Sequence, residues 1–336
     1  MKCLNENYYR CYGRRFCSVE IVKGANLSAK EFPCVEFILV GDETEILNCF
    51  KKLECEVPKN ISIVHTDVFV TMEDDPMIVM KEKNNSSMAI ALKMLKDDCA
   101  DALISAGSTG ALHTASSLIV RRIKGIRRSA IASILPFKKP ILMLDSGANP
   151  TVTEDILNQW AIIGSAYSCA MFGIDKPTVG LLNNGTEEHK GTPVAQAAYQ
   201  LLKANEHINF IGNVESKEIP NSPCDVLITD GFTGNIVLKF AEGMGSFMFS
   251  SLKTVFTSSI TTKLSFLMIK KHLKSFKNTF NASTYGGAPL LGLTKPVIKA
   301  HGNSKADSIV SAVRQAINYS SSNIIDKVVS ILEKNK

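Results

Sequence analysis

The chain has 336 residues, 45% of them hydrophobic and 21% charged, with a formal net charge of +6. That apolar content supports a large core and excludes both a disordered chain and a membrane-embedded one. The mild positive balance suits anionic partners such as phosphate, acidic carrier proteins and anionic lipid, and is too weak and too little clustered to indicate nucleic acid.

Nine cysteines are scattered without a CxxC pair, and the six histidines do not fall at ligand spacing. This pattern predicts free, mostly structural thiols in a reducing cytoplasm and no metal site. The N-terminal MKCLNENYYRCYGRRF lacks the apolar centre of a signal peptide. The uncharged run Ala102–Val120 is rich in Ser, Thr and Gly, so it reads as a buried strand, a loop and a helix rather than a membrane span.

In chain order, short β-branched runs predict strands at Val35–Val40, Ile61–Val64, Ala102–Ser105, Ala130–Leu135, Ile141–Leu144, Val179–Leu182, Ile208–Ile211 and Val226–Thr229. Helical patterns lie between them at Ser86–Asp97, Thr109–Arg122, Thr153–Met171 and Pro193–Lys203. The alternation predicts an α/β fold: a mostly parallel sheet with helices on both faces, as a single domain spanning 1–336. Gly243–Ala306 contains no acidic residue but nine lysines. Within it, Ser246–Lys277 reads as a protruding, basic, amphipathic helical pair broken near Ser258–Thr262. Two more helices close the chain from Ser304.

Four polar loops follow strands: AGSTGA (Ala106–Ala111), DSGANP (Asp145–Pro150), NNGTEEHKGT (Asn183–Thr192) and DGFTGN (Asp230–Asn235). Ligands bind at the carboxyl ends of strands in such sheets, where glycines let backbone N–H groups approach an anion. Candidate phosphate or substrate contacts are Gly107, Ser108, Thr109, Gly110, Asp145, Asn149, Asn183, Asp230 and Gly234. Lys190 is a candidate cationic anchor, His189 a candidate base, and Asn235 a candidate oxyanion donor. Each loop also reads as an ordinary turn, and Asp145, Asn149, Asp230 and Thr233 as helix caps. GxxxxGK[ST], GxGxxG after a strand, GxSxG and HExxH are all absent, so these residues alone define an anion-binding cleft and no more.

Read in order, the loops resemble the bacterial acyl-carrier-protein-dependent phosphate acyltransferase family. The resemblance begins at VKGANLSAKEFPCVEFILVGD (Val22–Asp42) and MEDDPMIVMKEKNNSSM (Met72–Met88), and runs through ADALISAGSTGAL (Ala100–Leu112), LMLDSGANP and VGLLNNGTEEHKGT. NFIGNVESKEIP (Asn209–Pro220), DVLITDGFTGNIVLK and YGGAPLLG…VIKAHGNSKA (Tyr285–Ala306) complete it. Together these ordered motifs are far more specific than any one of them. The resemblance implies a Rossmann-like α/β/α sandwich and a homodimeric cytosolic enzyme, peripheral on the inner face of the membrane, with no metal or organic cofactor. It implies transfer of a long-chain acyl group from acyl carrier protein to inorganic phosphate, with a glycerol-3-phosphate acyltransferase downstream. It also implies that Lys190 and Asn235 are the catalytic residues.

The chain departs from the family pattern at RCYGRRFCS (Arg10–Ser18), where a glycine-rich acidic loop is usual and Arg15 is expected near the phosphate cleft. Lys81 replaces a usual arginine and Thr192 a usual asparagine. Two alternatives stand beside the main reading: a short-chain phosphotransacetylase using coenzyme A, and a catalytically weakened homologue that binds carrier protein or membrane.

Overall fold

The computed structural model describes residues 2–6, 17–279, 286–302 and 304–334. Its first half runs β1 (Lys2–Glu6), α1 (Cys17–Glu31), β2 (Glu36–Gly41), α2 (Glu43–Lys52), β3 (Ile61–His65), α3 (Ser87–Lys96), β4 (Ala102–Ser105) and α4 (Thr109–Ile119). There follow β5 (Ala130–Pro136), β6 (Pro140–Leu144), α5 (Glu154–Phe172), β7 (Thr178–Asn183), α6 (Pro193–Ala204), β8 (Asn209–Glu215), β9 (Val226–Ile228) and α7 (Gly231–Thr257). The last elements are α8 (Ile260–Thr279), β10 (Ala288–Leu291), β11 (Val297–Lys299), α9 (Ala306–Ser321) and α10 (Ile324–Lys334).

These strands join in the order β3-β2-β1-β4-β11-β10-β5-β6-β9-β7-β8. The block from β3 to β11 is parallel, as is the block from β6 to β8. Between them, β11–β10, β10–β5 and β5–β6 are antiparallel, so the two blocks run in opposite directions. An offset in pairing nevertheless brings their carboxyl ends together. The first half of β10 pairs with β11 and its second half with β5. Ser105, ending β4, is level with Lys299 and Ala288; Leu144, ending β6, is level with Ala132. Both strand ends therefore lie at nearly the same height on either side of the seam.

Side chains alternate across a strand with a period of two, and here both sets are apolar. Phe37 and Leu39 of β2 join a cluster with α1 and α9, while Ile38 and Val40 join one with α3 and α4. In β6, Leu142 and Leu144 pack towards α5, and Ile141 and Met143 pack in the cluster reached by Val237 and Leu238 of α7. The fold is thus the layered α/β arrangement expected, with helices on both faces.

Several boundaries differ from the sequence reading. The helix from Thr109 stops at Ile119, because Arg121 turns to a φ of 74°. β8 runs on to Glu215. The helical pair breaks at Ser258 and Ser259, as its composition predicts, but its first helix begins at Gly231, inside the DGFTGN motif. β1, α1, α2, β10 and β11 were not anticipated. Arg10–Phe16, with Arg15, and Tyr285 lie outside the described residues.

Candidate active site

The DSGANP turn is built around a buried carboxylate. Asp145 is 0% exposed. Its Oδ1 accepts from the backbone N–H groups of Ile131, Gly147 and Ala148, each at 3.1 Å. Its Oδ2 accepts from Asn149 N at 2.7 Å and Asn149 Nδ2 at 2.8 Å. A buried carboxylate needs such partners, and this one finds them in its own turn and in the neighbouring strand β5. Asn149, 3% exposed, also donates from Nδ2 to the Ser129 carbonyl at 2.8 Å.

β9 lies beside β6, so the DGFTGN motif emerges next to this turn. Asp230 caps α7: its Oδ1 accepts from Thr233 N at 2.8 Å and its Oδ2 from the Thr233 hydroxyl at 2.7 Å. The start of α7 is pressed onto the turn. Gly231 N donates to the Asn149 carbonyl at 2.8 Å. A Cβ on Gly234 would lie 1.9 Å from the Asp145 carbonyl oxygen, so only glycine permits this approach. Gly147, at a φ of +139°, presents its backbone to Asn235, whose Cγ would be 3.4 Å from a Cβ there. Asn235 is half-buried, and its amide has no hydrogen-bond partner among the described residues.

NNGTEEHKGT follows β7, the next strand along the same edge. Asn183 organises it: Nδ2 donates to the Lys190 carbonyl and to Asn213 Oδ1, both at 3.1 Å, and Oδ1 accepts from Asn184 N at 2.9 Å. Lys190 lays its stem against Gly185, where a Cβ would meet Lys190 Cγ at 2.9 Å. The Lys190 ammonium is exposed and has no ion-pair partner among the described residues. Glu188 turns away to Lys203 at 2.7 Å, and that bond holds its carboxyl below the usual carboxylate range. His189 is exposed, and its carbonyl accepts from Gln196 Nε2 at 2.7 Å. Thr192 caps α6 through Ala195 N at 3.2 Å.

The AGSTGA loop lies across the seam. Ser105 Oγ accepts from Gly107 N at 3.1 Å, and Ser108 caps α4 through Ala111 N at 3.5 Å. Thr109 and Gly110 open that helix, with Gly110 against Pro76 of the MEDDPM segment. First-turn N–H groups at such a position favour an anion. Further along α4, His113 reaches Ser129, a contact that sequence alone does not single out; its place two residues after the loop, on a predicted helix, is the available signal. Burial pushes the His113 imidazole below its ordinary range, Arg128 and Arg122 act the same way, and the Ser129 carbonyl and Asp145 oppose them.

The structure thus brings Asp145, Asn149, Asp230, Gly234 and Asn235 into one contact set, with Lys190 and Asn183 on the adjacent strand end. Gly107, Ser108, Thr109 and Gly110 connect to that set through α4, His113 and Ser129.

A family model described as fatty acid synthesis protein matches residues 11–327. A phosphate acyltransferase of Brevibacillus brevis is 42% identical over 94% of this chain and 93% of its own length. A phosphate acyltransferase of Streptococcus pneumoniae is 43% identical over 90% of this chain and 91% of its own. Among solved structures, a phosphotransacetylase from Streptococcus pyogenes superimposes with a TM-score of 0.61, at 17% identity, over 99% of this chain and 94% of that one, which shows a shared fold. By these matches along nearly its whole length, the chain belongs to the phosphate acyltransferase family.

Proposed function

We propose that this protein transfers a long-chain acyl group from acyl carrier protein to inorganic phosphate. An oxygen of hydrogen phosphate attacks the thioester carbonyl, the C–S bond breaks, and the proton of the attacking phosphate ends on the carrier thiol. Phosphate is already nucleophilic at neutral pH, so the protein's task is to hold two anionic partners together and to stabilise the tetrahedral oxyanion. The observation that carries this reading is the Asn235 amide, without a partner among the described residues and held against Gly147 at the start of α7. In this reading Asn235 donates to the oxyanion, Lys190 anchors phosphate, and the Gly107–Gly110 loop supplies backbone N–H groups to it. Asp145, Asn149, Asn183, Asp230 and Gly234 give the cleft its shape.

The helical pair supports the long-chain reading over a short-chain substrate carried by coenzyme A. Phe232, Ile236, Phe240 and Phe247 form an exposed apolar row on α7 that starts beside Asn235. Further out, Leu264, Leu267 and Met268 of α8 are exposed beside Lys263, Lys270 and Lys271, whereas Phe249, Phe256 and Ile269 are half-buried, with Phe256 5.7 Å from Phe266. This tip suits reversible contact with the inner membrane face, where a glycerol-3-phosphate acyltransferase would take the acyl phosphate, and the row nearer the site suits the homodimer contact. No helix among the described residues is long and apolar enough to cross a membrane.

The test incubates the protein with phosphate and either palmitoyl carrier protein or acetyl-coenzyme A, following thiol release. Phosphate-dependent release from the carrier protein alone supports the reading. Release from acetyl-coenzyme A alone replaces it with phosphotransacetylase activity, and release from neither leaves a binding homologue.

A further inference from the structure

His113 holds the junction between the two sides of the cleft. It projects from α4 two residues beyond the AGSTGA loop, and its Nε2 lies 3.0 Å from both the carbonyl oxygen and the hydroxyl of Ser129. Ser117, four residues on along the same helix face, meets that hydroxyl at 3.0 Å. Ser129 is fully buried, and its carbonyl is shared: Asn149 Nδ2 donates to it at 2.8 Å. The same Nδ2 donates to Asp145 Oδ2 at 2.8 Å, and the Asn149 carbonyl receives Gly231 N, the first residue of α7, at 2.8 Å. An unbroken hydrogen-bonded path therefore runs from α4 through Ser129 and Asn149 to the turn and the helix that set Asn235.

We propose that His113 is a positioning residue for acyl transfer, locking α4 to the Asp145–Asn149 turn so that the Asn235 amide meets the developing oxyanion; this rests on the acyltransferase reading above. The physical reason is placement. An oxyanion donor acts only when its N–H lies at hydrogen-bond distance from where the charge forms, and a displacement of a fraction of an ångström weakens it. Without the imidazole, the Ser129 carbonyl keeps one of its two side-chain donors, and α4 is tied to Ser129 only through the Ser117 hydroxyl, which does not reach that carbonyl's bond to Asn149. The His113 Nε2 is engaged with Ser129, so its loss is expected to leave phosphate binding largely intact.

Two variants test this in the full chain. His113→Leu fills the space without a donor, and His113→Gln restores a neutral N–H at similar reach. The expected result is a kcat roughly tenfold lower in the leucine variant, with the KM for phosphate within about twofold of wild type. The glutamine variant recovers most of the rate. A leucine variant that melts earlier but turns over normally overturns the proposal, as does a glutamine variant no better than leucine. Should the leucine variant fail to fold, His113→Asn, polar but too short to reach Ser129, makes the same comparison. A second readout separates this inference from the function assigned above: the side-chain amide resonance of Asn235. If His113 positions the turn, that resonance shifts in the leucine variant and returns in the glutamine variant, whether or not wild type releases thiol. An unmoved resonance refutes the positioning role, whereas a moving resonance in an inactive protein refutes the acyltransferase reading alone.

Discussion

Asn235→Ala separates catalysis from folding at this site. The side chain holds no hydrogen bond among the described residues and is half-buried, so truncation leaves no orphaned partner. A loss of stability of no more than about 1 kcal/mol is expected. If Asn235 donates to the oxyanion, the rate falls roughly a hundred- to a thousandfold, equivalent to about 3–4 kcal/mol of transition-state stabilisation. The neighbouring Gly234→Ala is the control with the opposite balance. Its new Cβ would sit 1.9 Å from the Asp145 carbonyl oxygen and 3.0 Å from Thr229 Cγ2, so the start of α7 must move. That overpacking costs roughly 1–3 kcal/mol and takes activity with it. Phosphate-dependent thiol release at saturating substrates gives the rates, and thermal melting gives the stabilities. An Asn235→Ala rate within about threefold of wild type would refute the oxyanion assignment. A melting shift in it as large as that of Gly234→Ala would show that the amide supports the fold instead.

Lys190→Ala is expected to lower kcat/KM for phosphate roughly a hundredfold without changing the melting temperature, and phosphate titration of thiol release checks it. A normal kcat/KM removes Lys190 from the site. His113 makes stability depend on pH: burial holds its folded value below the ordinary imidazole value of about 6.5, so the stabilisation is complete above that pH and is lost as pH falls through the lowered folded value. Urea melts of wild type and His113→Gln from neutral to acid pH should converge as the pH drops, and a constant difference contradicts this. Binding to anionic liposomes should fall when Leu264 and Leu267, both exposed, become glutamate, since each lysine near the surface adds about 1 kcal/mol only while the apolar face is seated. Wild type that stays in the supernatant at every lipid composition makes the helical pair structural only.

Much of the frame was legible because local signals agreed with tertiary demands. β4, β6 and β9 are short apolar runs ending at Ser, Asp or Thr-Asp, and Ser108, Thr192 and Asp230 cap the helices their positions predict. β10 and β11 were hidden because Gly292, Pro289 and Pro296 break any strand pattern, and their strand form is imposed by pairing with β5 and β4. α1 was hidden because Gly24, Asn26 and Ser28 weaken its helical signal. The structure shows why Gly24 is tolerated: a Cβ there would lie 2.5 Å from Ile309 Cβ, so the glycine lets α9 pack closely. Nor could spacing reveal that the two parallel blocks point in opposite directions and still share an edge, since that follows from the divided pairing of β10.

The division between scaffold and reacting groups was the least legible part, because a loop rich in Asp, Asn and Gly supplies both. Hydrogen-bond satisfaction makes the division. Asp145 and Asp230, which would repel phosphate if left open, have their carboxylates taken up by backbone and side-chain donors. Along this edge the Asn235 amide offers an N–H donor and Lys190 an exposed ammonium, with the exposed Glu187 carboxylate on the same loop as Lys190. In the proposed reaction these two donors face the phosphate and the developing oxyanion, an excess of donors over open acceptors at those two points. A negatively charged nucleophile that attacks a carbonyl, moving charge onto an oxyanion, gains at both ends from that excess. The proposed reaction needs no activated serine or cysteine, because the nucleophile arrives with the substrate and the protein's part is position and donors.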